Sequence, residues 1–385
     1  MTEPEQANHA HAFLLPDQLD ALIERLREQG YRTVGPRVVD GAIVYRDVER
    51  ADELPHGYID TQDGGRYRLV RDEDAGAFDH VVGPDSLKRF VFPSCDTVLR
   101  ADLQDGSWTM TPAGLPDEPV AVIGVRGCDL QALAVTDRVF LEGPYVDPLY
   151  EARRRNMFLV AVNCRRAAAT CFCHSMNTGP AAGGGFDLAL SELADGFVVE
   201  SGSAAGDELI ATAGWPAPDT ARLEQARAQT AQLEAEMHAR DGVVRDDGAM
   251  SRQRSLDTEG IHDLLLGRLS HARWEDIGDR CLACSNCTMV CPTCFCSSVE
   301  EVSDLAGEHV TRERSWASCF TAEHSYMNSG TVRKSIASRY RQWLTHKLAS
   351  WHDQFGMSGC TGCGRCITWC PVGIDLTEEV AAIRD

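Results

Sequence analysis

The sequence predicts an α+β fold: an N-terminal mixed α/β domain followed by a smaller, mostly helical, cysteine-rich domain. Three observations predict it. Two apolar runs, Val120–Val125 and Met157–Val162, flank a helix-like stretch at 130–140. That is a β-α-β pattern, which favours a parallel pair with a right-handed crossover. A polar stretch from Pro216 to about residue 260 then interrupts the chain. Beyond it, cysteines gather in two runs, and residues 331–355 between them carry Ile336, Tyr340, Trp343, Leu344, Leu348 and Trp351 at helical intervals.

Taken in order, residues 1–11 are polar and read as a flexible tail. Residues 17–29 set Leu19, Leu22, Ile23 and Leu26 on one helical face, with Gly30 as the stop. Residues 38–45 read as two strands about an Asp40-Gly41 turn, and residues 64–70 as another turn and strand. The β-α-β unit follows. Its strands lead into Gly127-Cys128-Asp129 and Asn163-Cys164, and ligand sites in open α/β sheets gather at such carboxyl ends. The glycine-rich loop at 181–185 lacks the G-x-G-x-x-G context of a dinucleotide site. Residues 186–210 suggest a helix and one or two strands. Pro216-Ala217-Pro218 breaks the chain. Residues 220–240 form a polar helix whose thin stripe of Leu223, Leu233 and Met237 reads as a solvated connector. The expected organisation is a tail (1–11), an α/β domain (12–215), a helical connector and linker (216–260), and a helical domain (261–385).

The helical domain carries the chemistry. Cys281-Leu-Ala-Cys284-Ser-Asn-Cys287-Thr-Met-Val-Cys291-Pro292 and Cys360-Thr-Gly-Cys363-Gly-Arg-Cys366-Ile-Thr-Trp-Cys370-Pro371 both read C-x2-C-x2-C-x3-C-P. This is the spacing of two-cluster ferredoxins, in which three thiolates bind one [4Fe–4S] cube and the fourth reaches the other. It assigns Cys281, Cys284, Cys287 and Cys370 to a first cluster, and Cys360, Cys363, Cys366 and Cys291 to a second. Structural zinc needs only two separated C-x2-C pairs, so four cysteines in eleven residues, repeated, is poor zinc geometry. The 68 residues between the runs make a helical two-cluster, ferredoxin-like domain rather than a compact β-hairpin ferredoxin.

Eight further cysteines remain. Cys128 and Cys164 follow neighbouring strands, and Cys171 and Cys173 come within nine residues of Cys164. These four are candidates for a third [4Fe–4S] cluster at the edge of the N-terminal sheet. Zinc on the same ligands, or plain packing of buried thiols, is the alternative, and Asp129 or His174 can stand in for one ligand. Cys294, Cys296 and Cys319 read as packing, and Cys95 as inert. Arg365, between Cys363 and Cys366, is expected to raise the potential of the second cluster, because a nearby cation favours the more negative reduced state. His174, His324 and His346 read as structural or surface groups, and no catalytic constellation is evident.

Composition bounds the partners. The 385 residues are 43% hydrophobic and 25% charged, ordinary for a globular protein. With 37 basic and 58 acidic side chains the net charge is −21, which argues against nucleic acid and against anionic lipid. No secretory leader or membrane span is expected. Sixteen cysteines without such a leader point to a reducing cytoplasm.

The chain resembles the β (iron–sulfur) subunits of cytosolic group 3 [NiFe] hydrogenases, or sulfhydrogenases, and the related A subunit of anaerobic sulfite reductase. The resemblance rests on Gly83-Pro-Asp-Ser-Leu-Lys-Arg-Phe, Arg126-Gly-Cys-Asp-Leu-Gln-Ala-Leu, Asn163-Cys164, Thr170-Cys-Phe-Cys-His-Ser-Met, Gly185-Phe-Asp-Leu-Ala-Leu, Cys291-Pro-Thr-Cys-Phe-Cys, Arg339-Tyr-Arg-Gln-Trp-Leu-Thr-His-Lys and Gly362-Cys-Gly-Arg-Cys-Ile-Thr-Trp-Cys-Pro-Val-Gly-Ile-Asp. It spans about residues 12–385. It implies a non-catalytic electron-transfer subunit of a NAD(P)-linked [NiFe] hydrogenase, working beside a flavin diaphorase subunit that binds NAD(P) and beside the small and large hydrogenase subunits. An electron-transfer subunit of anaerobic sulfite reductase, a self-contained sulfur or polysulfide reductase, and a zinc scaffold are the alternatives.

Overall fold

The computed structural model describes residues 10–239, 243–244, 250–251 and 254–385. The expected tail lies outside the described residues except for its last two, of which His11 already opens a strand. The expected linker is described only in part.

The first part supplies strands β1 (His11–Leu14), β2 (Arg32–Val39), β3 (Ala42–Asp47), β4 (Tyr58–Asp63), β5 (Arg66–Arg71), β6 (Cys95–Gln104), β7 (Ser107–Pro112), β8 (Val120–Val125), β9 (Met157–Val162), β10 (Leu188–Leu193) and β11 (Gly196–Ser201). Seven form one sheet in the order β1-β11-β10-β9-β8-β2-β3. Its centre, β2, β8, β9 and β10, is parallel, and its margins are antiparallel. Local sequence explains the pieces. Leu19, Leu22, Ile23 and Leu26 are buried along helix Leu19–Glu28, and Gly30 beyond it sits at φ 88°. Asp40 and Gly41 both take positive φ, the tight turn whose twist suits a β2–β3 hairpin. Alternate residues of β8 and β9 enter different cores. Ile123, Val160 and Val162 pack beneath helix Leu19–Glu28, whereas Val122, Leu159 and Ala161 pack with Leu130, Leu133 and Tyr150. Covering on both faces is why these strands read as unbroken apolar runs.

The C-terminal part is helical around its cysteines. Helices Ile261–Gly267, Arg273–Arg280, Ile336–Thr345, Trp351–Phe355 and Leu376–Arg384 surround a core containing Trp274, Ile277, Tyr340, Leu344, Ile367 and Val380. A π-helical turn, His346–Ser350, joins two of them. Among the described residues, no helix is long and apolar enough to cross a membrane.

Two expectations need correction. The insert between the cysteine runs is not all helical. It contains a strand hairpin, Ser297–Ser303 and His309–Trp316, which adds to β6 and β7 in a four-stranded sheet. Its side chains are mostly polar, so hydrophobic periodicity does not announce it. The hairpin carries backbone pairing across the expected boundary near residue 260. The helix Thr220–Ala239 is not merely solvated either. Leu233 and Met237 are buried against Val81, Val82, Cys128 and Cys173. A stripe of two apolar side chains suffices because it covers a small cysteine pocket rather than a broad core.

Candidate iron–sulfur sites

The two cysteine runs take the same path. In the first, Ala283 and Ser285 adopt φ 50° and 70°; in the second, the equivalent Gly362 and Gly364 adopt 66° and 76°. Each run then enters a four-residue helix, Asn286–Met289 or Arg365–Thr368. Left-handed non-glycine residues are strained, so a loop that holds two of them is held by its surroundings. The residue types differ because the surroundings differ. A Cβ on Gly362 would stand 2.6 Å from the Phe172 carbonyl oxygen, and one on Gly364 2.4 Å from that of Thr170. Gly364→Ala is therefore expected to lower the thermal midpoint by several degrees and release iron, whereas Ser285→Gly, at the equivalent angle in the first run, should keep both. Thermal unfolding followed at the cluster absorbance checks the pair.

Cys281, Cys284, Cys287 and Cys370 line one cavity, walled by Tyr340 and Trp343. The Ile374 amide donates to the Cys370 thiol at 3.3 Å, and that of Ala283 to Cys281 at 3.4 Å. Cys284 and Leu282 open this cavity to the surface. Burial chiefly, and the nearby Cys291 to a lesser degree, makes the thiols of Cys360, Cys363 and Cys366 harder to ionise. Cys370 of the second run thus lines the first run's cavity, as does Cys366.

The four N-terminal cysteines also gather. Cys128 opens helix Gly127–Phe140 directly after β8, and Cys164 follows β9. Cys171 and Cys173 come from the segment beyond, and all four share one buried cluster with Cys363 of the second run. The glycine-rich loop closes over them. A Cβ on Gly127 would lie 2.2 Å from the Ala181 carbonyl oxygen, and Asn163 Oδ1 accepts from the Ala182 amide at 2.9 Å. The 171–173 segment is clasped to the second run: the Phe172 amide donates to the Gly362 carbonyl at 2.9 Å, and the Thr170 and Thr368 hydroxyls meet at 2.8 Å.

The donor set fits iron–sulfur clusters. Burial first, then neighbouring thiolates, raises Cys173, Cys287 and Cys366, and burial pushes Cys360 up to about 12. Thiols so reluctant to ionise become thiolates when a bound cation supplies the charge. Among the described residues, no three His, Cys, Asp or Glu side chains are placed to hold a single metal ion. Zinc would draw four thiolates to about 2.3 Å from one centre, whereas Cys281, Cys284, Cys287 and Cys370 line a cavity. Beside the first cavity, the Tyr340 hydroxyl and Trp343 Nε1 are buried and, among the described residues, have no hydrogen-bond partner. Cluster sulfides are acceptors such donors would meet.

Several side chains depart from expectation. Arg365, expected to act by its charge, is 1% exposed and gives a bidentate pair to Asp129 at 2.8 and 2.8 Å. It also donates to the Gly83 and Asp85 carbonyls at 2.9 Å each. Its charge is compensated by Asp129, which is engaged in this pair rather than free to replace a thiolate. His174 is buried with its ring against His238. Cys95 is exposed beside Glu313. Sequence reasoning missed Lys347. Its Nζ lies 3.3 Å from the Cys291 sulfur, 3.0 Å from the Thr293 hydroxyl and 3.1 Å from the Gly359 carbonyl oxygen. A lysine is so seldom buried that it reads as surface.

Residues 280–374 match the family model described as a 4Fe-4S dicluster domain. The chain is also 32% identical over 270 residues to sulfhydrogenase 2 subunit beta of Pyrococcus furiosus, covering 70% of this chain and 75% of that protein. The chain belongs to the sulfhydrogenase β-subunit family. Family membership and the dicluster domain make it an iron–sulfur, electron-transfer subunit that carries [4Fe–4S] clusters. No solved structure is significantly similar to it.

Proposed function

We propose that this chain relays single electrons within a NAD(P)-linked [NiFe] hydrogenase, between a flavin diaphorase subunit and the hydrogenase small and large subunits. The bound clusters would each accept and pass on one electron. The chain's residues supply thiolates, burial and docking faces, with no covalent substrate chemistry. Cys281, Cys284, Cys287 and Cys370 are proposed for one cluster, Cys360, Cys363, Cys366 and Cys291 for a second, and Cys128, Cys164, Cys171 and Cys173 for a third. One observation carries the relay: the sites adjoin in series. Cys366 borders the first cavity, and Cys363 borders the N-terminal cysteines. The path reaches the surface at Cys284 and Leu282, where a partner can dock.

The test is the assembled complex. Co-expressed with its three partner subunits and purified without oxygen, it should reduce NAD(P)+ with H2. Cys363→Ser should cut that flux at least tenfold while NAD(P)H oxidation by a dye at the flavin subunit is unchanged. A full H2–NAD(P) rate in the variant would remove the chain from the path.

Lys347 is the proposed tuning group of the second cluster. An ammonium 3.3 Å from the Cys291 sulfur favours the more negative, reduced state. Lys347→Met should lower the midpoint potential of the second cluster by tens of millivolts, about 60 mV for each 1.4 kcal/mol of interaction lost in a one-electron couple. An EPR-monitored redox titration reads this shift.

A further inference from the structure

We propose that Cys294, Cys296, Cys319 and His346 hold an additional [4Fe–4S] cluster, beyond the three sites above. Three thiols and an imidazole line one cavity, as Cys281, Cys284, Cys287 and Cys370 line another. The four ligands come from three segments. Cys294 and Cys296 follow the first run, Cys319 follows the strand hairpin, and His346 opens the π-helical turn. Gln354 Oε1 lies 3.3 Å from His346 Nε2, so an Nε2–H donated there leaves Nδ1 with its lone pair free for a metal.

A second, independent observation is charge. Lys347 and Lys88 are both 4% exposed, and among the described residues neither is paired with a carboxylate. Lys347 lines the cavity itself. Lys88 Nζ lies 3.4 Å from the Cys294 carbonyl oxygen, 3.2 Å from that of Met289 and 3.8 Å from the centre of the Trp316 ring. Two buried ammonium groups are costly unless negative charge faces them. The second cluster offers that charge to both through Cys291, and a thiolate-bound cluster in this cavity adds to it through Cys294, which faces both, and Cys296, which faces Lys88. The tetrapeptide Thr293-Cys-Phe-Cys296 also repeats Thr170-Cys-Phe-Cys173, whose two thiols belong to the N-terminal gathering. The C-x-C pair thus serves the same purpose twice, an argument that rests on the third cluster proposed above.

The site adjoins the relay. Thr288, beside Cys287, and Thr293, whose hydroxyl is 3.2 Å from the Cys291 sulfur, both line it. It is a branch off the second cluster, and the neutral ligand makes it an electron sink. A histidine ligand in place of cysteine raises the potential of an iron–sulfur centre.

The full chain, purified anaerobically and reconstituted, decides the matter. The wild type should hold about sixteen irons, as four cubes of four. The variant C294S/C296S/C319S should hold about twelve, with the other EPR signals intact. His346→Cys, which keeps a ligand, should shift the g values and lower the midpoint of one signal alone. A triple variant with all the wild-type iron, or a His346→Cys protein with every signal unmoved, overturns the proposal. A wild type with about twelve irons overturns it while leaving the relay standing. A wild type with none overturns both.

Discussion

Cys370→Ala is expected to remove the cluster that faces Cys281, Cys284 and Cys287, not the one bound by its own run. The side chain lies in the first run's cavity, and its sulfur accepts the Ile374 amide there at 3.3 Å. Cys291→Ala is the reciprocal change. That thiol stands with Cys360, Cys363 and Cys366 beside Lys347. Each variant should lose about four irons or fall to a three-iron centre with its own EPR signature, because a cube with three protein ligands sheds its exposed iron. The potential shift of Lys347→Met then labels the clusters. The Lys347-sensitive signal should survive Cys370→Ala and disappear in Cys291→Ala. The opposite pattern means that each run binds its own cube and that the crossed assignment is wrong. Either loss should cut electron flow through the assembled complex at least tenfold, since each removes a carrier from the series.

The second large effect belongs to the Arg365–Asp129 pair. Both side chains are 1% exposed, and they join the short helix after Cys363 to the first turn after β8. Removing one partner leaves a buried charge without compensation, at a cost of about 3–5 kcal/mol. Asp129→Asn and Arg365→Gln should each accelerate loss of the brown colour on warming, with the N-terminal iron leaving first. Removing both charges at once should be less damaging than the sum, so the double variant outlasts the prediction from the singles. Additive losses would mean that the pair is incidental. Since iron–sulfur proteins commonly unfold irreversibly, the half-life at fixed temperature is the proper measure. The midpoint potential of the second cluster should move less in Arg365→Gln than in Lys347→Met, because Asp129 already neutralises the arginine.

Much of this protein was legible from residue order alone. Ligand spacing is local: C-x2-C-x2-C-x3-C-P names eight thiols whatever the rest of the chain does, and the third set stood out because Cys128 and Cys164 follow adjacent apolar strands. The hairpin turn at Asp40-Gly41 and the helix stop at Gly30 were equally plain, since turn chemistry acts within a few residues. What the order of residues could not disclose was compensation across distance. That Arg365 is spent on Asp129, that Lys347 and Lys88 lie buried beside Cys291 and Cys294, and that Leu233 and Met237 roof the N-terminal cysteines all depend on segments brought together from remote positions. The hairpin Ser297–Ser303 with His309–Trp316 escaped for a related reason: both strands are largely polar, the first exposed and the second half-buried, and backbone pairing with each other and with β6 rather than burial in a core makes them strands. Sequence therefore determined which thiols are candidates to bind iron, because that is decided by spacing along the backbone. Tertiary structure alone decided which charges surround those atoms, because electrostatic energy depends on separation in space.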